Sequence, residues 1–194
     1  MKPACSKWWS PVTAAPIVAD PLAGLAVPNA AAYGLTNRGA VNLSGNNTLT
    51  INPGIYSQIN VSGNAKLIFT PGIYVIAGGG MNVSGNASVS GTGVMIYNAG
   101  SNYLGTGNTF GALTVSGNAS VNLTAATTGA YAGVVFFQSR DNASAVSVSG
   151  NAVLNLHNAV LYAKAAELTA SGNGKLDASL VVSILQLTGN AIED

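Results

Sequence analysis

One tripeptide, Ser-Gly-Asn, recurs along the chain. It stands at Ser44-Gly45-Asn46, Ser62-Gly63-Asn64, Ser84-Gly85-Asn86, Ser116-Gly117-Asn118, Ser149-Gly150-Asn151 and Ser171-Gly172-Asn173, with Thr188-Gly189-Asn190 as a variant. Successive copies lie 18, 22, 32, 33, 22 and 17 residues apart. Repeats of this length bury an apolar core only by stacking on their neighbours, so the period predicts a solenoid. A solenoid offers long faces rather than one deep pocket.

The residues around the tripeptide predict its local structure. Three positions before each Ser or Thr stand Val41, Ile59, Met81, Leu113, Val146, Leu168 and Leu185, and directly before it stand Leu43, Val61, Val83, Val115, Val148, Ala170 and Leu187. Between them runs the polar column Asn42, Asn60, Asn82, Thr114, Ser147, Thr169 and Gln186. Strict alternation marks a strand with one buried face. Leu49, Leu67, Val89, Val121, Leu154 and Leu176 follow the Asn by three residues and are expected to point inward. The central Gly admits a positive φ at a sharp bend. A third run per repeat, such as Ile73-Tyr74-Val75-Ile76 or Val134-Val135-Phe136-Phe137, is apolar without alternation. That pattern predicts a strand covered on both faces.

The expected fold is therefore all-β, a right-handed parallel β-helix of about seven coils over residues 40–194, preceded by a Pro-rich arm over residues 1–39. Asn46, Asn64, Asn86, Asn118, Asn151, Asn173 and Asn190 are expected to stack as structural rungs of an internal ladder. The arm carries five of the seven prolines and both tryptophans. Its apolar residues need a surface to lie against, and the outer side of the third strand is the one left uncovered. Trp8, Trp9, Leu22 and Leu25 are its candidate anchors, on this chain or on a second copy.

Composition narrows the function. Charged residues make up 7% of the chain, against about 25% in an average domain. The net charge of +1 and the absence of a basic patch exclude nucleic acid as the expected partner. No apolar stretch is long enough to span a bilayer. Cys5 is the single cysteine, so no internal disulfide can form. His157 is the single histidine, and the carboxylates are Asp20, Asp141, Glu167, Asp177, Glu193 and Asp194. Polysaccharide-cleaving sites need paired carboxylates or a basic group beside bound calcium, and no such cluster is legible. His157 with Asp141 is the one pair left open. No catalytic residue, cofactor or metal ligand is assigned.

Two long intervals carry insertions after the same strand, residues 99–110 and 139–144. With the next corner they would gather Asn102, Tyr103, Asn108, Arg140, Asp141, Lys164 and Glu167 along one edge, the candidate binding edge, where loops sit on a rigid scaffold.

Asn52-Pro53-Gly54-Ile55-Tyr56, Thr70-Pro71-Gly72-Ile73-Tyr74, Gly78-Gly79-Gly80, Gly91-Thr92-Gly93-Val94, Ala130-Tyr131-Ala132-Gly133-Val134 and Asp20-Pro21-Leu22-Ala23-Gly24-Leu25 together resemble the C-terminal region of TadG-like tight-adherence (Flp) pilus-assembly proteins of bacteria. The resemblance spans roughly residues 20 to 190. It implies an extracellular or cell-surface setting and a structural or adhesive role. A fainter resemblance is to bacterial β-helical ice-binding proteins, carried by the polar column from Asn42 to Thr169 beside the Ser column. The expected function is a non-catalytic structural or adhesive surface protein whose rods stack end to end. The expected partners are further copies of itself and surface glycans. Ice binding on the Asn/Thr/Ser ladder and a carbohydrate-binding or carbohydrate-cleaving module are the alternatives.

Overall fold

The computed structural model describes residues 19–193. They hold fifteen strands and no helix: β1 (Asn37–Leu43), β2 (Thr48–Ile51), β3 (Gly54–Val61), β4 (Lys66–Phe69), β5 (Gly72–Ala77), β6 (Met81–Val83), β7 (Ser88–Gly91), β8 (Val94–Ala99), β9 (Leu113–Val115), β10 (Ser120–Leu123), β11 (Val134–Gln138), β12 (Val146–Val148), β13 (Val153–Ala170), β14 (Lys175–Leu187) and β15 (Ile192–Glu193). Every strand pairing is parallel.

The pairings sort into three ladders, each joining a strand to its equivalent one repeat later. Before the tripeptide, Leu43, Val61, Val83, Val115, Val148, Ala170 and Leu187 are successive partners. After it, Leu49, Leu67, Val89, Val121, Leu154 and Leu176 are. Along the apolar runs, Ile55, Val75, Tyr97, Phe137, Tyr162 and Val181 are. The insertions lengthen two repeats without shifting any column, because a one-residue slip would turn the apolar set outward. Pairing also closes a ring of eight strands, β3-β5-β8-β11-β13-β12-β9-β6 and back to β3. The ring closes because β3 runs through two ladders and β13 through all three.

The apolar columns form one core: Ile59, Val61, Val83, Val115, Val148 and Leu168 are fully buried. Each such side chain contributes about 1.5–3 kcal/mol on burial. Leu49, Leu185 and Leu187, expected inward by the same periodicity, are instead 38%, 40% and 43% exposed. They sit in the first and last repeats, where among the described residues a neighbouring layer covers one side alone.

A second apolar cluster lies on the outer side of the third ladder. Val75, Met95, Tyr97, Tyr131, Phe137 and Tyr162 are buried there, with Leu22, Leu25 and Leu35 packed against them. The N-terminal residues thus cover that side within the same chain. Trp8, Trp9 and Cys5 lie outside the described residues.

At each bend the Gly takes φ near +70°, from Gly45 at 70° to Gly189 at 73°. The Asn then faces solvent and the next residue turns in, with Ala65, Ala87, Ala119 and Ala152 all at 0% exposure. The ladder expected to be internal is therefore on the surface. The inward positions keep the same parity across the bend, as Val83, Ala87 and Val89 do.

Candidate functional site

The seven Asn residues form one hydrogen-bonded line. Each after Asn46 donates Nδ2 to Oδ1 of the Asn one repeat earlier: Asn64 to Asn46 at 2.9 Å, Asn86 to Asn64 at 3.0 Å, Asn118 to Asn86 at 3.0 Å, Asn151 to Asn118 at 3.0 Å, Asn173 to Asn151 at 2.8 Å and Asn190 to Asn173 at 3.3 Å. With one acceptor and one donor used on each interior Asn, the line works as structure.

The candidate edge is built on two buried amides that the sequence reading did not single out. Asn98, next to last in β8, and Gln138, last in β11, are in register with one another and both fully buried. Asn98 donates to the Gly111 carbonyl at 2.7 Å and to Gln138 Oε1 at 3.2 Å. Gln138 donates to the carbonyls of Asn142 at 3.0 Å and Ser144 at 2.8 Å. Asn142, also fully buried, accepts from the Ser144 amide at 2.8 Å. These bonds pin both insertions to the ends of their strands. The signal in the sequence is an amide ending an apolar run just before each insertion.

Pinned there, the insertions present their side chains to the N-terminal segment. Arg140 Nη2 donates to the carbonyls of Leu22 at 2.7 Å, Ala23 at 3.3 Å and Leu25 at 2.8 Å. Its guanidinium lies 5.2 Å from the Phe137 ring centre and 5.7 Å from that of Tyr162, within cation–π range of both. Tyr103 donates to the Pro28 carbonyl at 2.6 Å and Tyr131 to that of Ala26 at 3.0 Å. Tyr162 donates to Asp20 at 2.7 Å, and Lys164 lies 3.4 Å from the same carboxylate oxygen.

These contacts set the electrostatics. Burial works to raise the pKa of Asp20, but hydrogen bonds from Tyr162, the Leu22 amide and Lys164 outweigh it and hold the carboxyl below its ordinary value. Burial pushes Tyr103, Tyr131 and Tyr162 up to about 12, and for Tyr162 the bond to Asp20 adds to it. The phenols stay protonated donors at neutral pH.

Of the seven candidate edge residues, Tyr103, Arg140 and Lys164 are thus joined through the N-terminal segment. Asp141 bonds to the Ser139 hydroxyl. It lines a cavity of about 390 Å³ with Arg140, Ser139, Tyr97 and Val27. Asn102 and Asn108 are exposed on the first insertion, with Asn108 at φ +77°. Glu167, half-buried on β13, is held in no ion pair among the described residues.

His157 does not meet Asp141. It faces Asp177 one repeat on, Nδ1 to Oδ2 at 3.6 Å, in a shallow polar cleft shared with Ser90, Thr92, Asn122, Thr124 and Asn155. Both side chains are well exposed, at 66% and 40%. Among the described residues no group of three or more His, Cys, Asp or Glu side chains is placed to hold a metal ion, and no helix is long and apolar enough to cross a membrane.

Comparison with protein-family models, curated protein sequences and solved structures finds no match for this chain.

Proposed function

We propose that the chain is a non-catalytic structural or adhesive protein of the bacterial cell surface, folded as a right-handed parallel β-helix of about seven coils. The eight-strand ring is then one section of the helix, closed where β3 turns through two ladders and β13 through three. The observation that carries the reading is the unbroken line of six Asn–Asn bonds across repeats of unequal length. A chain whose repeats tolerate insertions while holding every column in register is built to be a rigid rod.

The charged and phenolic groups of the candidate edge support the same role. Arg140, Tyr103, Tyr162 and Lys164 are engaged in clamping the N-terminal segment over the outer apolar cluster. The resemblance to tight-adherence proteins supplies the surface setting. The polar column read as an ice-binding face is internally bonded at its start, where Asn60 and Gln58 both donate to Asn42 Oδ1 at 2.9 and 3.0 Å. That favours a structural rung over a water-ordering face.

Antibody labelling of intact cells that produce the protein tests the reading. Labelling before lysis is expected, and a signal confined to lysed cells contradicts it. Surface glycans are the second reading, favoured by the cleft of amides and hydroxyls beside His157 and Asp177. Glycan-array binding that His157→Ala and Asn155→Ala abolish would support it.

A further inference from the structure

Two strongly exposed aliphatic side chains belong to neither the first repeat nor the last. Leu104 is 69% exposed on the first insertion, and Val27 is 46% exposed on the N-terminal segment. Both line the cavity of about 390 Å³ that opens where the two insertions and that segment meet. Ligand pockets run from about 300 to 1,000 Å³. From β8 come Tyr97 and Ala99, themselves at most 4% exposed, and from the second insertion Ser139, Arg140 and Asp141. The walls are fixed from behind. The first insertion is bonded across its neck, the Ser101 amide to the Thr109 carbonyl at 2.9 Å, and at its tip, the Gly105 amide to the Asn102 carbonyl at 2.7 Å. It lies so close to the end of β8 that a Cβ on Gly100 would collide with the Gly107 carbonyl. Neither insertion adds a rung to a ladder. What they build together is this cavity.

The lining selects among ligands. It carries one guanidinium, Arg140, and one carboxylate, Asp141, side by side, so its net charge is zero. A cation that approached Asp141 would meet Arg140 as well. An anion fares no better. Arg140 Nη2 is spent on the carbonyls of Leu22, Ala23 and Leu25, and its Nε is buried, so the paired N–H groups that grip a carboxylate or phosphate are not on offer. Asp141 accepts from the Ser139 hydroxyl on Oδ1 and from no other group among the described residues. Its Oδ2 is left to accept from a neutral donor such as a hydroxyl. Thr106 adds a hydroxyl of its own to the same lining. Beside these polar groups, Leu104 and Val27 offer C–H surface. Hydroxyls along one edge and C–H groups across a face are the chemistry of a sugar ring.

We propose that this cavity binds one hexose unit of a neutral glycan, with sugar hydroxyls donating to Asp141 and the C–H face of the ring against Leu104 and Val27. The proposal rests on the adhesive reading above and deepens it by naming the ligand class and the site. The site lies on the outer side of the third ladder. It is therefore distinct from the cleft beside His157, whose Ser90, Asn122 and Asn155 are register partners of the second ladder.

Saturation-transfer NMR of the full chain with glucose, galactose and mannose tests it, together with an array of neutral and acidic glycans. Transfer to at least one of the three hexoses is expected, with array binding confined to neutral glycans that carry it. Asp141→Ala removes a charged acceptor and is expected to weaken binding about tenfold or more. Leu104→Ala is expected to weaken it as well, and His157→Ala to leave it intact. Asp141 and Leu104 are both exposed, and circular dichroism checks that the variants stay folded. Should Asp141→Ala unfold, Asp141→Asn, which keeps the bond from Ser139, replaces it. Absence of binding to all three hexoses and to the array overturns the proposal. So do a preference for acidic glycans, binding that both cavity variants retain, and binding that His157→Ala abolishes. A protein found on intact cells that binds no neutral glycan overturns this site alone. Neutral-glycan binding that Asp141→Ala weakens, by a protein absent from the surface, overturns the surface reading alone.

Discussion

The Tyr162 hydroxyl donates to Asp20 Oδ2 at 2.7 Å, joining residues 142 apart in the chain. It ties the start of the N-terminal segment to the outer apolar cluster. Tyr162→Phe keeps the ring and removes the bond. A hydrogen bond to a charged group contributes about 1.5–3 kcal/mol. The variant is expected to lower amide-exchange protection in the segment, at Leu25 and Leu35, while the ladder strands keep theirs. Unchanged protection at both amides would show that the bond does not hold the segment.

The same clamp sets a pH window. The carboxyl of Asp20 is held below its ordinary value of 3.8, so its contribution is present above that pH and is lost as pH falls below it. Tyr103, Tyr131 and Tyr162 are raised from 10 to about 12, so theirs is present below pH 10 and is lost as pH climbs toward 12. Limited proteolysis of residues 19–36 is expected to accelerate in both ranges and to stay slow between them. Uniform cleavage across the whole range would contradict the assignment.

At the bends, conformation outweighs the side-chain line. Gly117 has φ +75°, and a Cβ there would sit 2.9 Å from the Gly85 carbonyl oxygen. The left-handed backbone alone costs a non-Gly residue about 1–2 kcal/mol, and the close approach adds to it. Asn118→Ala removes two exposed hydrogen bonds, each contributing about 1 kcal/mol or less. Gly117→Ala is therefore expected to lower the melting temperature more than Asn118→Ala does. The opposite order would mean that the line, and not the bend, maintains the stacking.

Much of this was legible in the residues themselves. The columns through Val61, Val83 and Val115 follow from alternation around a fixed tripeptide, and the structure pairs them in that order. The outward turn of the Asn was missed because the corner Asn was assigned to an internal ladder, although alternation from Val83 to Val89 already places Asn86 on the outer side. The buried Ala119 and Ala152 after the Asn were the available signal. The clamp was harder to see. Insertion lengths located Tyr103 and Arg140, but their partners are backbone carbonyls of residues 22–28, and no side-chain pattern marks a carbonyl as an acceptor. His157 found Asp177 because Asn155 and Asp177 are register partners, a relation the repeat spacing of 22 residues already contained.

Val115 is fully buried between Val83 and Val148 in the first ladder. A carboxylate there must go unpaired or take up a proton, at a cost of several kcal/mol. Val115→Asp is expected to abolish cooperative thermal unfolding and drive the protein into the insoluble fraction. A soluble protein with an unchanged melting temperature would show that the column does not face the core.

Parallel in-register stacking of the repeats is the central claim, and engineered disulfides test it most directly. Neighbouring rungs stand about 4.8 Å apart, within the 4.4–6.8 Å Cα separation that a disulfide spans, whereas alternate rungs stand about twice as far. In a Cys5→Ser background, Asn86→Cys with Asn118→Cys is expected to cross-link rapidly under mild oxidation, although the residues are 32 apart in sequence. Asn86→Cys with Asn151→Cys, two rungs apart, is expected to remain reduced within the monomer. Equal cross-linking of the two pairs, or none of the first, would contradict the stacking and the account built on it.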